Sequence, residues 1–403
     1  MCENTVYCAE SGERGRESHM RKKAITILMS LVLAIATVTG CGAGAQESTE
    51  TDNAAVESGT AEDVNDDSEA EDANDTSETE DVNDTGESEV VNDAGDHEDV
   101  HIRIGSLKGP TSMGLVYLMD QADKGGTANN YEFTMTAAAD ELLPSMLSGD
   151  LDIILIPANV ASVLYNKTEG GVSVIDINTL GVLYMVSGDD TIRSMEDLKG
   201  RTVYLTGKGT TPDYVLKYLL KENGLAETDV TLEYKSEATE VAALLAETPE
   251  AIGVLPQPFV TAACAQNEKL SVVMDLTEQW DMVQDEEGSV RDGIKSRLVT
   301  GVTVVRNGFL VEHKEAVDRF MEEHAVSAAY ANDHVEETAE LVAAAGIIEK
   351  APVAVKAIPK CNITYMDGGD MREALSGYLA VLCEQEASSV GGGLPGEDFY
   401  YIQ

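Results

Sequence analysis

The chain has 403 residues, a formal net charge of −46 and 43% hydrophobic residues. Charge of that sign excludes a nucleic-acid footprint and a basic membrane-binding face. It is unevenly spread: residues 46–100 hold 22 Asp and Glu with no Lys, Arg, Pro or aromatic residue, whereas residues 101–403 hold 47 acids against 22 bases.

In chain order, residues 1–19 are polar and patternless, and Met20-Arg21-Lys22-Lys23 then opens a positively charged segment followed by an apolar run over 24–38. That run is shorter than the roughly 20 apolar residues a spanning helix needs. It ends in the small residues Val38-Thr39-Gly40 before Cys41, the pattern of a cleaved signal peptide over 1–40 with Met20 as the start. A small residue before a cysteine at this place resembles the bacterial lipobox, which implies lipidation of Cys41. Residues 41–99 then read as a lipidated N-terminus and an acidic linker too poor in apolar residues to fold. A nine-residue repeat runs through the linker at Glu62-Asp63, Glu71-Asp72 and Glu80-Asp81. It lacks the paired glycines of calcium-binding nonapeptides. The predicted linker is a solvated tether of roughly 40 Å.

From residue 100 the composition is globular, and roughly 300 residues exceed what one core usually supports, so two lobes are expected. Short β-like runs alternate with amphipathic helices, the signature of an α/β fold. Strands are predicted over 101–105, 132–137, 152–156, 172–177, 202–205, 231–234 and 251–255. Helices are predicted over 113–122, 141–147, 160–165, 212–222, 239–246 and 259–265. From His313 the chain reads as mostly helical, over 315–330, 335–345 and 371–384.

The strand ends repeat. The first strand leaves through Lys108-Gly109-Pro110-Thr111-Ser112, and a later one through Gly207-Lys208-Gly209-Thr210-Thr211-Pro212. Pro157-Ala158-Asn159 and Pro256-Gln257-Pro258 follow 49 and 48 residues after Lys108 and Lys208. Two lobes built to one plan are therefore expected. In open α/β sheets ligands sit outside the carboxyl ends of the strands, where a starting helix offers unpaired N–H groups and the positive end of its dipole. The candidate ligand-binding residues are Lys108, Gly109, Thr111, Ser112, Pro157, Asn159, Lys208, Gly209, Thr210, Thr211 and Gln257. Each has a blander reading, since Ser and Thr before a helix commonly serve only as caps, and proline commonly ends a strand. The second Gly-Lys loop lacks the GxxxxGK spacing of a phosphate-cradling loop, which argues against nucleotide hydrolysis.

The remaining chemistry is thin. Cys264, Cys361 and Cys383 show no CxxC or Cys/His spacing, which leaves either one disulfide or buried thiols. His313, His324 and His334 fall on charged helices, where surface positions are expected, and Trp280 is expected to pack. No catalytic cluster, metal site or cofactor site emerges.

Ile104-Gly105-Ser106-Leu107-Lys108-Gly109-Pro110-Thr111, Gly149-Asp150-Leu151-Asp152-Ile153 and Ser194-Met195-Glu196-Asp197-Leu198-Lys199-Gly200-Arg201 together resemble the periplasmic-type solute-binding proteins of ABC importers, in the nitrate/sulfonate/taurine-like group. The resemblance covers residues 100–403. It implies a two-lobed periplasmic-binding-protein fold with two crossover strands, near 184–190 and 301–306. Lobe one would comprise 100–187 and 301–403, and lobe two 188–300. It further implies a non-enzymatic monomer that takes a small molecule to a permease and its ATPase. The membrane would be met only through the lipid, on the outer face of a Gram-positive-type cell. A sulfonate-, nitrate- or carboxylate-like anion is the expected cargo. Thiamine or a pyrimidine precursor on the same fold, an enzyme of the pyrimidine-precursor or menaquinone-pathway type, and a sensor or adhesin domain remain as alternatives.

Overall fold

The structure is a computed structural model that describes residues 100–285 and 296–403. The leader, Cys41 and the acidic repeats lie outside the described residues. Eleven strands among the described residues form two sheets. They are β1 (His101–Leu107), β2 (Asn130–Thr136), β3 (Ile153–Pro157), β4 (Val172–Leu180), β5 (Leu183–Ser187), β6 (Thr202–Thr206), β7 (Thr231–Lys235), β8 (Ile252–Pro256), β9 (Ser271–Asp275), β10 (Val299–Arg306) and β11 (Ile363–Met366).

The first sheet runs β2-β1-β3-β10-β4-β11 and the second β7-β6-β8-β5-β9. In each, the first three strands are parallel and the fourth is antiparallel to both of its neighbours. The duplicated plan expected from the loops is therefore present in the pairing. The fourth strands are exchanged: β5 follows lobe-one strands yet lies in the second sheet, and β10 follows lobe-two strands yet lies in the first.

The crossings expected near 184–190 and 301–306 thus fall on β5 and β10, which change sheets a few residues earlier than expected. Tyr184 pairs with Leu255 and Asp275 inside the second sheet, and Gly301 pairs with Pro157 and Thr179 inside the first. The first passage is Gly181-Val182, the two residues between β4 and β5. Residues 183–187, expected in lobe one, accordingly belong to the second sheet.

The helices follow from sequence. Ala139–Ser148 starts with Glu141 accepting from the Ala138 N–H, the half of a capping box that alanine allows, and stops at Gly149 in the left-handed region (φ 80°). Lys314–Asp333 buries Val317, Phe320 and Met321 on the apolar strand residues Ile102, Ile104 and Ile153. A second cluster is continuous through both lobes. It joins Ile154 and Val302 of the first sheet to Val203 and Val254 of the second through Trp280, Leu298 and the helix Gly368–Gln385. No described helix is long and apolar enough to cross a membrane.

The ends of β1, β3 and β10 remote from the strand-end loops are clamped by charge. Asp152, 1% exposed, takes 2.7 Å and 3.0 Å bonds from Arg103 and Arg306. The backbone closes the clamp through Asp152 N to Arg103 O (2.9 Å) and Arg306 N to Asp152 O (3.0 Å). Burial pushes the Asp152 carboxyl up, but the bonds from Arg103 and Arg306 outweigh it and hold the group below the usual carboxylate range. Its contribution is thus complete above the unfolded value of about 4 and is lost as pH falls through the lower folded value. Asp152→Asn should cost about 2–3 kcal/mol at neutral pH, discounted for the part-exposed arginines. Chemical denaturation at pH 7 and in acid checks this, and the difference between variant and wild type should shrink below about pH 4.

Candidate ligand-binding cleft

The loops that follow β1 and β3 lie at one end of the first sheet, and those that follow β6 and β8 at the corresponding end of the second. In the first lobe, Gly109 (φ 147°) turns the chain into the four-residue helix Pro110–Met113. The Thr111 hydroxyl donates to Leu107 O at 3.2 Å, and the fully buried Ser112 hydroxyl is engaged with Ser106 and Leu107 O. For Ser112 the bland reading holds, since its hydroxyl secures the turn. Lys108 is exposed and makes no ion pair with the described residues. Pro157 ends β3, and Asn159 donates at 3.4 Å to Ser389 O in the C-terminal loop.

The first lobe brings to this rim residues that the loop pattern did not point to. A Cβ on Gly301 would stand 2.5 Å from both Thr111 Cγ2 and Asn178 Oδ1, so only glycine lets these strands and the Thr111 loop close up. The signal was present, because an isolated glycine in a strand marks a close approach. Behind it runs a buried polar chain. Thr179 donates to Asn178 (2.9 Å), Asn178 to Thr303 (3.1 Å) and Thr303 to Asp176 (2.7 Å), with His324 Nδ1 3.1 Å from the other Asp176 oxygen. His324 is thus fully buried, contrary to the surface position expected for it. Its charged helix was read correctly, but it sits on the face that meets β4.

In the second lobe Gly207 (φ 71°) and Gly209 (φ 73°) both occupy the left-handed region that glycine accepts at little cost. Thr210 turns back on Gly207 O through its N–H (2.9 Å) and hydroxyl (2.6 Å). Thr211 starts the helix Thr211–Glu222 with Pro212 second. Asp213, 1% exposed, accepts from Gly209 N (2.8 Å), Tyr234 (2.7 Å) and Lys217 (3.0 Å). Lys208 lies 5.4 Å from the centre of the Tyr234 ring. Lys208 and Gly209 border a pocket of about 530 Å³, walled by Tyr214 and Lys217 and by Glu384 and Gln385 from the end of the C-terminal helix.

Gln257 is buried beside the passage between sheets, its N–H on Val182 O at 3.0 Å. Its Oε1 accepts from the Thr261 hydroxyl at 2.8 Å, while its Nε2 is buried without a partner. The Gln257–Pro258 peptide is cis. Sequence reasoning also missed the reach of Gly368–Gln385, expected to return to lobe one. Gln385 donates to Tyr214 O at 3.1 Å, and Tyr378 packs 5.6 Å from Trp280, which lies 4.6 Å from Tyr218. Trp280 is a packing residue, as expected. Cys264, Cys361 and Cys383 are free, and burial pushes the Cys361 thiol up to about 12. Among the described residues no group of three or more His, Cys, Asp or Glu could hold a metal.

Because Asp213 gathers three donors, Asp213→Ala should cost about 2–3 kcal/mol. It should also speed hydrogen exchange at the Gly209 amide while leaving first-lobe amides unchanged, a pattern exchange mass spectrometry would read.

Residues 169–338 match the family model described as NMT1/THI5 like. Three of the similar solved structures illustrate the likeness. An ABC transporter from Parabacteroides distasonis has 22% identity and a TM-score of 0.63, over 76% of this chain and 100% of that one. The periplasmic aliphatic sulphonate binding protein SsuA from Escherichia coli has 15% identity and a TM-score of 0.59, over 75% and 92%. The alkanesulfonate-binding protein SsuA from Xanthomonas axonopodis pv. citri, bound to MOPS, has 12% identity and a TM-score of 0.54, over 75% and 98%. A comparison with curated protein sequences finds no match. At these identities the likeness is one of fold. The chain therefore has the two-lobed periplasmic-binding-protein fold, and its residues 169–338 are similar to the NMT1/THI5-like family model.

Proposed function

We propose that this chain is the extracytoplasmic solute-binding lipoprotein of an ABC importer. Lipid on Cys41 holds it at the outer face of the cell membrane, the acidic linker lifts it, and the two lobes close over a small molecule and present it to a permease. The observation that carries this reading is the pair of matching strand-end rims on two sheets joined through Gly181-Val182. The sulphonate-binding names of two similar structures support the transport class. Capture and release need no chemistry, so the protein acts as a binder and not as an enzyme.

The favoured cargo carries an anionic group of sulfonate, nitrate or carboxylate type. The helix start at Thr211 supplies N–H donors, and Lys208 supplies charge at the same loop. Leaving the Tyr234 ring costs Lys208 only about 0.5–1 kcal/mol at an exposed site, so the ring does not hold it from a ligand. One observation favours the second reading, a thiamine-like cation. A further pocket of about 530 Å³ offers Tyr184 with the acids Asp275 and Glu278, set against the bases Arg193 and Lys360, so it favours a cation only through its aromatic ring.

The mature chain should be stabilised by about 2.7 kcal/mol at a hundredfold excess of cargo over Kd. Thermal melts against a metabolite panel test this, and native mass spectrometry of the purified protein identifies retained cargo. A panel without any stabilising compound would count against the reading, and turnover of a bound compound would favour the enzyme alternative. Lys208→Ala should weaken an anion about tenfold, equivalent to about 1.4 kcal/mol, and leave a thiamine-like cation within about twofold. Equal loss for both would remove Lys208 from the site.

A further inference from the structure

Two segments connect the sheets at one place. Gly181-Val182 leads from β4 into β5, and residues 296–298 lead into β10. The segments touch each other: a Cβ on Gly181 would stand 2.7 Å from Leu298 Cδ2, and Leu298, 1% exposed, has no room to withdraw. The second segment also lies on the helix Gly368–Gln385. A Cβ on Gly377 would stand 2.9 Å from Ser296 Cβ and 3.0 Å from its Cα, so helix and segment meet with no side chain between them. Glycine inside a helix is destabilising relative to alanine, and Gly377 is the tenth of eighteen helical residues. The close approach offsets that cost.

Lobe two rests on the same place. The helix Leu276–Asp285, which follows β9, carries Thr277 and Trp280 three residues apart and so on one side. Thr277 abuts Gly181. Trp280 donates from Nε1 to Ser296 Oγ at 3.3 Å, and its ring lies 5.6 Å from that of Tyr378, the residue after Gly377. One helix of lobe two thus meets both segments and the helix that spans the lobes. Trp280 and Tyr378 are fully buried, so pulling the lobes straight apart here would expose two large aromatic rings to water. A turn about this line keeps them covered while it moves the distant strand-end rims.

We infer that the two segments and the helix Gly368–Gln385 form a single pivot for lobe closure, with Gly181 and Gly377 as its positioning residues. This rests on the binding function proposed above and names the residues about which the lobes turn. Close-packed elements pass strain on rather than absorb it. A displacement imposed at Ser296 therefore travels through Leu298 to Gly181, and the two segments shift together.

Gly377→Ala in the otherwise unchanged mature chain tests this without any ligand, so its failure is distinct from a failure of the binding function. Gly369→Ala is the control, because a Cβ there meets nothing within 4 Å. Hydrogen-exchange mass spectrometry of Gly377→Ala should show about tenfold faster exchange at residues 182–184 as well as at 297–299, with β1, β3, β6 and β8 unchanged. Small-angle scattering should give a radius of gyration shifted from wild type, whereas Gly369→Ala should match wild type in both measurements. Leu298→Val, which trims the contact between the segments without crowding the helix, should also accelerate exchange at 182–184. Faster exchange at 297–299 alone would show that the segments move independently and would overturn the pivot, as would an unchanged radius of gyration. Faster exchange throughout both sheets would assign Gly377 to the fold alone and overturn it as well.

Discussion

Two residues, Gly181 and Val182, carry the chain from the first sheet into the second, and the passage is held from both sides. Asn362, in the left-handed region at φ 45°, brackets it from the first lobe: its carbonyl accepts from Leu180 N and its side chain donates to Gly181 O. Gln257 holds it from the second lobe through Val182 O. Tyr184, one residue into β5, donates to Lys360 O at 2.8 Å and ties the second sheet to the same first-lobe segment. A Cβ on Gly181 would lie 2.2 Å from Thr277 Oγ1 and 2.7 Å from Leu298, so the passage admits only glycine. Asparagine at Asn362 fits the same logic, as a residue that tolerates the left-handed region and still offers a donor.

This passage makes the exchange of fourth strands work. With only two residues between β4 and β5, the chain must reverse sheets at once, and β5 enters the second sheet antiparallel to β8. The matching strand β10 closes the first sheet in the same way. Strand ends, helix starts and the passage then gather at one place, while the Asp152 clamp stands at the other end of β3. The charged clamp and the rim loops of the proposed site thus stand at opposite ends of the same strands, so the loops can vary without touching the clamp.

Local pattern revealed what depends on local physics. Among the parallel strands β3 and β8 show continuous apolar runs and β2 and β7 alternate, the helices show 3.6-residue periodicity, and Lys108-Gly109 and Lys208-Gly209 announce turns, so these elements were legible. The strands β5 and β10 were legible as crossover strands, but which neighbours they pair with depends on the other half of the chain. β9 and β11 are short edge strands with weak pattern, and went unread. His324 was misread because its partner Asp176 lies 148 residues earlier, across a helix–sheet contact no single-helix pattern contains. Ser112 and Asn159 were legible as polar loop residues, but which group each bonds is decided by packing. Gly301 lies outside the loop motifs that suggested a site, and it becomes meaningful only once the Thr111 loop and Asn178 are in place against it.

The sign of the cargo is a local question that the net charge does not decide. The globular part carries an excess of 25 acids, but exposed charges farther than about 8 Å are largely screened at physiological salt. Donors inside a partly buried cleft act over shorter distances and in a lower dielectric, where one oriented N–H or hydroxyl outweighs several remote carboxylates. The acidic surface thus bears on solubility and on the rate at which a charged solute arrives. Affinity is set where donors are oriented and left unspent. On the proposed anionic reading, the helix start at Thr211 and the Lys208 charge beside it weigh more than the count of acids in the chain.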